Sequence, residues 1–245
     1  MKCIWPEYID RVHAYVSTKE EGDLSFKWGN DETAVVKNRE KWFSKLDLDL
    51  NTLVTCNQPH GNNVIIVGFE SVGRGAKQRD WLLGCDGLVT MDKNIILGIE
   101  TADCIPIFLF DSINNVIGLA HAGWRGVVSN IASELVRRAI QSGAQIGSLK
   151  VAIGPHIQNC CFEVQSDVAD EFKKTLNEAV STKDGNLYVD LQKVVLRQLT
   201  DMGVLLENVS VSGECTSCLK DKYYSFRRDK DKCAGSMLSV IKLKV

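Results

Sequence analysis

The sequence predicts an α+β fold, a layered α/β sandwich with mixed, largely antiparallel sheets. Neighbouring strand-like segments are joined by short turns instead of alternating regularly with helices, which favours this class over a purely parallel sheet. Many of these segments are apolar on both faces, so at least part of the sheet should be covered by helices. Four other segments carry apolar residues at helical spacing and can supply that cover.

Length and charge are those of an ordinary globular protein. The chain has 245 residues, of which 44% are hydrophobic and 24% charged, enough to build a substantial core. We therefore expect residues 1–245 to form a single catalytic domain. The formal net charge is −2, and Lys and Arg are scattered among Asp and Glu, so we expect no nucleic-acid partner.

The apolar segments are too short for a membrane span. Glu7, Asp10 and Arg11 interrupt the N-terminal segment, which lacks the apolar stretch of a secretory signal. The longest strongly apolar run, Cys104 to Phe110, is far below the roughly 18 residues that a spanning helix needs. These features predict a cytoplasmic location without a membrane partner, and we expect most of the nine cysteines to be reduced thiols.

Four helices are expected from apolar stripes that begin or end at capping residues. The stripes run from Val35 to Leu46, from Val127 to Ile140, from Val168 to Val180 and from Leu191 to Met202. Asp31 precedes the first stripe, and Gly203 follows the last.

Eight strands are expected from apolar runs that are bounded by turn residues. They are Asn63 to Phe69, Gly87 to Thr90, Ile95 to Ile99, Cys104 to Phe110, Val116 to Ala120, Leu149 to Ile153, Val209 to Val211 and Met237 to Leu243. The turn-rich segment DSINN at 111–115 separates two of them, which should therefore form an antiparallel hairpin.

The hairpin brings a cysteine close to a histidine. A register centred on the turn places Cys104 opposite a residue between His121 and Gly123, with Cβ atoms about 5–8 Å apart. His60 lies in another strand-flanking loop, between a proline and a glycine. Two imidazoles and one thiolate are typical of a catalytic zinc site with an open fourth position. From spacing alone, structural roles for these residues stay open.

A series of short motifs resembles the YfiH-type family. The motifs are QPHG at 58–61, CDGLVT at 85–90, TADC at 101–104, HAGWRG at 121–126, AIGP at 152–155, CFEV at 161–164 and YSFRRD at 224–229. They extend in order from about Asn38-Arg39 to the C-terminus. Members of this family have been labelled multicopper polyphenol oxidases (laccases) and zinc-dependent purine nucleoside phosphorylases. The family fold is an α/β sandwich grouped with cysteine-hydrolase-like toxins.

The resemblance implies a metal site and a set of reactions. The metal, Zn²⁺ with copper as an alternative, would be held by His60, Cys104 and His121. The implied activities are phosphorolysis of adenosine, inosine and S-methyl-5′-thioadenosine, together with adenosine deamination, so the partners are a purine nucleoside and phosphate. The oligomeric state stays open.

The chain departs from the family pattern at two places. An Arg followed by Gly-Gly-Val-Ser near the N-terminus is replaced by STKEEGDLS at 17–25, and a Gly-Arg pair near the C-terminus is replaced by Gly235-Ser236. Two anion contacts are thereby lost, which bears on substrate preference and rate.

Further catalytic roles are expected for residues near the three ligands. Asp103 is expected to orient a histidine ligand, or equally to satisfy backbone donors as a turn residue. Arg125 follows His121 by four residues and is the first candidate for a phosphate contact, because a guanidinium group can hold two oxygens. Arg227 and Arg228 are further candidates, with surface ion pairs as the alternative.

Two aromatic residues and two cysteine pairs have open roles. Trp124 and Phe226 can stack on a purine or pack in the core. The motif CTSC at 215–218 has the spacing used in zinc ribbons and redox motifs, but no second such motif exists to complete four ligands. Cys160 and Cys161 can join it; buried or idle thiols are the alternative.

Other functions compete with the phosphorylase. Cys104 with His121 as its base suits a metal-independent hydrolase or amidase. A copper-dependent polyphenol oxidase would draw on His13, His60, His121 and His156, which are few for several copper ions. A non-catalytic quality-control factor for cell-wall precursors is the remaining alternative, which the family resemblance also raises.

Overall fold

The computed structural model describes residues 1–28 and 31–244. Its strands are β1 (Lys2–Cys3), β2 (Val12–Val16), β3 (Leu53–Val54), β4 (Val64–Ile66), β5 (Gly87–Thr90), β6 (Ile96–Thr101), β7 (Ile105–Asp111), β8 (Val116–Ala122), β9 (Leu149–Ile153), β10 (Glu163–Val164), β11 (Val180–Lys183), β12 (Asn186–Val189), β13 (Val209–Val211) and β14 (Met237–Leu243). Its α-helices are α1 (Glu32–Lys45), α2 (Trp124–Val128), α3 (Ile131–Gln141), α4 (Ser166–Leu176), α5 (Leu191–Asp201) and α6 (Phe226–Asp229). Among the described residues, no helix is both long and apolar enough to cross a membrane.

The strands form three sheets. Their orders are β1-β2-β14-β6-β3, β13-β9-β7-β8-β5-β4 and β10-β12-β11. Three of the strand pairs, β3 with β6, β4 with β5 and β9 with β13, are parallel, whereas the central pairs of both large sheets are antiparallel. The predicted α+β sandwich with mixed, largely antiparallel sheets is confirmed.

The two large sheets pack face to face. Val16, Leu97 and Ile241 from the five-stranded sheet share a buried cluster with Phe108 and Leu119 from the six-stranded sheet. Because side chains alternate along a strand, the residues between these positions point the other way and bury the outer faces. Both faces of each large sheet are thus covered, as the apolar strands predicted.

Helices cover the two outer faces. Helices α3, α4 and α5 pack with the outer face of the six-stranded sheet, where β7 contributes Ile107 and Leu109. Helix α1 packs Trp42 and Phe43 on the outer face of the five-stranded sheet, against residues that include Val240. The layers therefore run helix, sheet, sheet, helix.

The structure differs from the prediction in two helices and one edge strand. The helix expected from Val168 to Val180 ends at Leu176, and Val180 begins β11. The expected helix from Val127 to Ile140 is split into α2 and α3, because Asn130 adopts a left-handed conformation with φ of 64°. The expected strand from Asn63 to Phe69 is shorter, since β4 ends at Ile66 and a 3₁₀ turn begins at Phe69.

The predicted hairpin is confirmed, and it sets the position of the site. Ile105 of β7 pairs with Ala122 of β8, so Cys104, one residue earlier, lies opposite Gly123. Gly87 at the start of β5 pairs with Ala120 of β8. The starts of β5 and β7 and the end of β8 therefore meet at one edge of the six-stranded sheet.

Candidate active site

His60, Cys104 and His121 converge at this edge. Their ligand atoms, the ring nitrogens and Sγ, all lie within 4.8 Å of one another. The two imidazole rings are close to perpendicular, at 89°, with centroids 4.7 Å apart. His60 comes from the loop between β3 and β4, where a φ of 68° places it in the left-handed region. Two imidazoles and one thiol are a donor set that suits a divalent metal with an open coordination position.

Gly123 leaves room for this convergence. A Cβ atom at this position would lie 2.8 Å from Cδ2 of His60, 3.2 Å from Sγ of Cys104 and 3.4 Å from Cε1 of His121. A side chain here would therefore press on the His60 ring and on Sγ of Cys104 and would touch the His121 ring. The donor chemistry and this tight packing show that the residues fit a single metal ion.

Asp86 orients both histidines. Its Oδ1 lies 2.9 Å from Nδ1 of His121 and accepts the backbone N–H of His60 at 2.9 Å. Its Oδ2 accepts the backbone N–H of Gly61 at 2.7 Å. A carboxylate can only accept hydrogen bonds, so Nδ1 of His121 carries the proton and Nε2 keeps its lone pair for a metal. The sequence left two roles open for Asp103, orienting a histidine or satisfying backbone donors, and Asp86 was not among the predicted site residues.

Asp103 instead joins the site to two neighbouring loops. Its carboxylate accepts hydrogen bonds from the hydroxyls of Thr216 and Ser225, at 2.6 and 3.0 Å, and from the backbone N–H of Arg227 at 2.6 Å. Its carbonyl accepts the N–H of Ile157 at 2.9 Å. Its φ of 97° is unfavourable for a side chain other than glycine, and these contacts hold it in place.

Burial keeps the three ligands neutral. Burial lowers the pKa of His121 to about 4, although the hydrogen bond to Asp86 opposes it, and burial also lowers the pKa of His60. Burial and the nearby charge of Asp103 raise the pKa of Cys104 to about 12. A reactive cysteine needs a lowered pKa, so this environment argues against a metal-independent nucleophile. A cation between the ligands would favour the thiolate.

Two cavities reach His60 and Cys104, and Phe226 lines both. The first has a volume of about 350 Å³, and its other lining residues include Lys27, Trp28, Gln58, Glu100, His121 and Ser236. The second has a volume of about 250 Å³, and its other lining residues include Asp103, Trp124, Arg125, Ile157, Phe162 and Arg227. The first cavity is therefore mixed in charge, and the second presents two guanidinium groups.

Each arginine of the second cavity lies against an aromatic ring. Cζ of Arg125 is 4.4 Å from the ring centroid of Trp124, and Cζ of Arg227 is 5.1 Å from that of Phe162. Such stacking holds the planar guanidinium groups in place. Nη1 of Arg227 also donates to the backbone carbonyl of Glu163. Two of the three arginines predicted as candidate phosphate contacts thus lie beside the three ligands, and Trp124 supports one of them.

Arg228, the third candidate, has its guanidinium group engaged by other groups of the protein. Its guanidinium donates to the carbonyls of Thr216, Ser217 and Tyr223 and pairs with Asp229 at 2.6 Å. These contacts hold the loop before α6 in place. The ion-pair alternative therefore describes Arg228 better than a phosphate contact does.

A buried ion pair forms the floor of the first cavity. Arg39 is fully buried and donates to Oε1 of Glu100 at 2.7 Å, while Ser25 donates to Oε2 at 2.7 Å. Nζ of Lys27 lies 3.9 Å from Oε2. Glu100 and Lys27 were not among the predicted site residues, but Arg39 within the apolar stripe of α1 indicates a buried charge that needs a partner.

An aromatic pair lines the same cavity. The rings of Trp28 and Phe226 stack at a centroid distance of 5.9 Å and an angle of 28°. Nε1 of Trp28 donates to Oγ of Ser236 at 2.7 Å. Ser236, at the position where the family resemblance implies an arginine, therefore contacts the cavity wall.

Known proteins are similar to this chain in sequence and in fold. A family model described as multi-copper polyphenol oxidoreductase laccase matches residues 12–244. Purine nucleoside phosphorylase YlmD of Bacillus subtilis (strain 168) is 35% identical over 216 residues, which cover 86% of this chain and 77% of that protein. Adenosine deaminase RL5, from an unknown prokaryotic organism, is 34% identical over 242 residues, 93% of this chain and 92% of the relative. The crystal structure of Bacillus licheniformis YfiH is similar with a TM-score of 0.91 at 30% identity, covering 98% of this chain and 94% of that one.

Proposed function

The chain belongs to the YfiH-type, multi-copper polyphenol oxidoreductase laccase family, and from this premise we propose that it is a metal-dependent purine nucleoside phosphorylase acting on adenosine, inosine and S-methyl-5′-thioadenosine. The observation that carries the proposal is the convergence of His60, Cys104 and His121 between two cavities of different character. The names of relatives such as YlmD support the choice of reaction.

The metal in this proposal is zinc, held by His60, Cys104 and His121. Two imidazoles and a thiolate are common zinc ligands, although copper binds such donors as well. When bound, the metal supplies a Lewis acid that polarises a substrate oxygen or activates water. Asp86 keeps the His121 ring in the orientation and tautomer that a metal ligand requires.

Phosphate is assigned to the second cavity. Arg125 and Arg227 line it, and their planar groups can each hold two oxygens of an anion. Because Trp124 and Phe162 support these groups, little reorganisation is needed when the anion arrives. Phosphate bound here lies beside the three ligands, from where one oxygen can approach the sugar.

The nucleoside is assigned to the first cavity. Its volume of about 350 Å³ is within the usual range for small-ligand sites. Trp28 and Phe226 offer rings on which a purine can stack. Glu100 and Lys27 offer an acceptor and a donor for the ribose or the base.

In phosphorolysis a phosphate oxygen forms a bond to C1′ of the ribose while the bond from C1′ to the purine nitrogen breaks. The electron pair of the broken bond leaves with the purine, which takes up the proton that the attacking hydrogen phosphate gives up on becoming the ester. The positive charge of Lys27, at the wall of the nucleoside cavity, can offset the charge on the departing base. The products are the free base and a ribose 1-phosphate.

Adenosine deamination is a second candidate, favoured by the similarity to adenosine deaminase RL5. The same three ligands serve that reaction with water in place of phosphate. A multicopper oxidase is less favoured, because the described ligand cluster contains two histidines, whereas His13 lies on β2 and His156 follows β9.

The test measures product formation with and without phosphate. Purified zinc-loaded protein is incubated with inosine or adenosine, and the bases and ribose 1-phosphate are quantified by chromatography. We expect phosphate-dependent release of hypoxanthine and adenine, lost in His60→Ala and Cys104→Ala and retained in the control Cys3→Ala, whose residue lies on β1. Base release that needs no phosphate, or that survives in Cys104→Ala, contradicts the proposal.

A further inference from the structure

A second group of cysteines lies outside the candidate active site. Cys160, Cys161, Cys215 and Cys218 have their sulfur atoms within 4.8 Å of one another. Sγ of Cys161 lies 3.4 Å from Sγ of Cys218, and Sγ of Cys160 lies 3.7 Å from each of these two. All four are free thiols. We propose that they form a tetrathiolate zinc site that holds two active-site loops together.

The sulfur separations suit a tetrahedral metal better than a disulfide. With a Zn–S bond of about 2.3 Å, tetrahedral geometry places each pair of sulfurs about 3.8 Å apart. The three separations among Cys160, Cys161 and Cys218, from 3.4 to 3.7 Å, are close to this value, and Sγ of Cys215 lies within 4.8 Å of the other three. A disulfide needs about 2.0 Å and joins only two of the four sulfurs. Four thiolates in tetrahedral array are typical of zinc or iron.

A backbone N–H group also reaches the cluster. The N–H of Gln158, two residues before Cys160, donates to Sγ of Cys215 at 3.5 Å. This contact joins the segment of Cys160 and Cys161 to the CTSC segment, so both cysteine pairs are held where they can share one ion.

The two cysteine pairs come from distant parts of the chain. Cys160 and Cys161 lie between β9 and β10, and they are 58 and 57 residues from Cys218. An isolated bridge between His156 and Cys215 already joins the two loops. The free energy of binding one metal to both loops would offset much of the chain entropy lost when these distant segments are held together.

These loops also build the second cavity. Phe162 follows the first cysteine pair directly, and Thr216 within the second pair donates to the carboxylate of Asp103. Asp103 in turn accepts the backbone N–H of Arg227. Zinc at the cysteine cluster would therefore fix the position of Arg227; the consequence for phosphate binding rests on the proposed function, whereas the metal site itself does not.

The test counts metal ions per chain. Protein is purified under reducing conditions, and zinc and iron are measured by mass spectrometry in wild type, Cys218→Ser, Cys104→Ala and the double variant. We expect Cys218→Ser to hold one zinc ion fewer than wild type, and the double variant to hold one fewer than Cys104→Ala. Cys3→Ser is the matched control and should keep the wild-type count. Equal zinc in wild type and Cys218→Ser overturns the proposal, as does iron in place of zinc.

A second readout uses the wild-type protein itself. Cobalt is added to metal-free wild-type protein, and the intensity of the sulfur-to-cobalt charge-transfer band is compared with that of Cys104→Ala and Cys160→Ser. We expect four-thiolate intensity in wild type that persists in Cys104→Ala, and only the weaker band of the active-site thiolate in Cys160→Ser; a wild-type band no stronger than that of a single thiolate overturns the proposal. Disulfides among the four cysteines, found by peptide mapping of freshly purified reduced protein, would overturn the proposal. Because no activity is measured, this outcome is independent of whether phosphorolysis occurs.

Discussion

Replacing Asp86 by Asn should weaken metal binding at the active site without unfolding the protein. The carboxylate makes three contacts at once, with Nδ1 of His121 and with the backbone N–H groups of His60 and Gly61. An amide has one oxygen and one NH₂ group. Whichever way it is turned, its NH₂ group faces at least one N–H that the carboxylate now accepts.

The magnitude follows from these contacts. Loss of a carboxylate that orients a metal-binding histidine typically costs about 10-fold to 100-fold in metal affinity. That range corresponds to about 1.4 to 2.7 kcal/mol of binding free energy. One buried N–H left without an acceptor costs a further 1–3 kcal/mol or so of folding free energy. Asp86→Asn should therefore still fold.

Zinc affinity is measured by competition with a chromophoric chelator, and folding by urea denaturation. Asp103→Asn is the matched control, because its carboxylate contacts Thr216, Ser225 and Arg227 instead of a histidine ring. We expect Asp86→Asn to bind zinc at least about ten times more weakly than Asp103→Asn does. Equal affinities in the two variants would refute the role given to Asp86.

Further predictions concern the packing, charge and acid response of the molecule. Gly123→Ala should lose active-site zinc because its Cβ would press on His60 and Cys104, and metal analysis after dialysis against a weak chelator checks this; retained zinc would refute it. Arg39→Met should lower the free energy of unfolding by about 3–5 kcal/mol, because Glu100 keeps a buried charge without its partner; urea denaturation showing an unchanged stability would contradict this. Arg125→Gln should raise the phosphate KM while zinc content stays at the wild-type value, and an unchanged KM in steady-state kinetics would remove Arg125 from the phosphate site. Burial raises the pKa of Glu214, but hydrogen bonds from two lysines and a tyrosine outweigh it and lower the pKa to about 2. Its stabilising effect is present above its unfolded pKa and lost as pH falls towards about 2, so Glu214→Gln should be less stable by about 1 kcal/mol in urea at about pH 6, and the difference should shrink at about pH 3.

The sequence predicts the centre of the fold better than its edges. The strands β5, β7 and β8 were predictable because each is a short apolar run bounded by turn residues. The turn between β7 and β8 also predicted that these two strands pair as an antiparallel hairpin. Strand β11 was not, since three of its four residues are exposed and its polar sequence has no apolar period. Strand β2 has a readable pattern, because buried and half-exposed residues alternate along Val12–Val16, but this signal is short.

The metal ligands and the residue that orients them differ in predictability for a physical reason. Cys104 and His121 are neighbours across a hairpin, so register alone brings them together. Asp86 contacts a histidine 35 residues later in the chain, and only the pairing of β5 with β8 places it there. Asp103 is adjacent to the ligand Cys104 in sequence, but its carboxylate accepts hydrogen bonds from Thr216 and Ser225 and not from a histidine ring. Its φ of 97° could not be foreseen from the sequence.

Three residues at or beside the ligands have strained backbone conformations, and this bears on how the site binds a metal. Gln58, His60 and Asp103 have φ values of 53°, 68° and 97°, conformations that cost free energy for residues other than glycine. Each is held by hydrogen bonds that form on folding, such as those from Gln58 to the backbone of Glu100. Folding contacts therefore offset the free energy of ordering the ligands before any metal binds. A site ordered in advance binds more tightly than one that must be assembled, so loosening the hydrogen bonds of Gln58 should reduce metal affinity even though no ligand is changed.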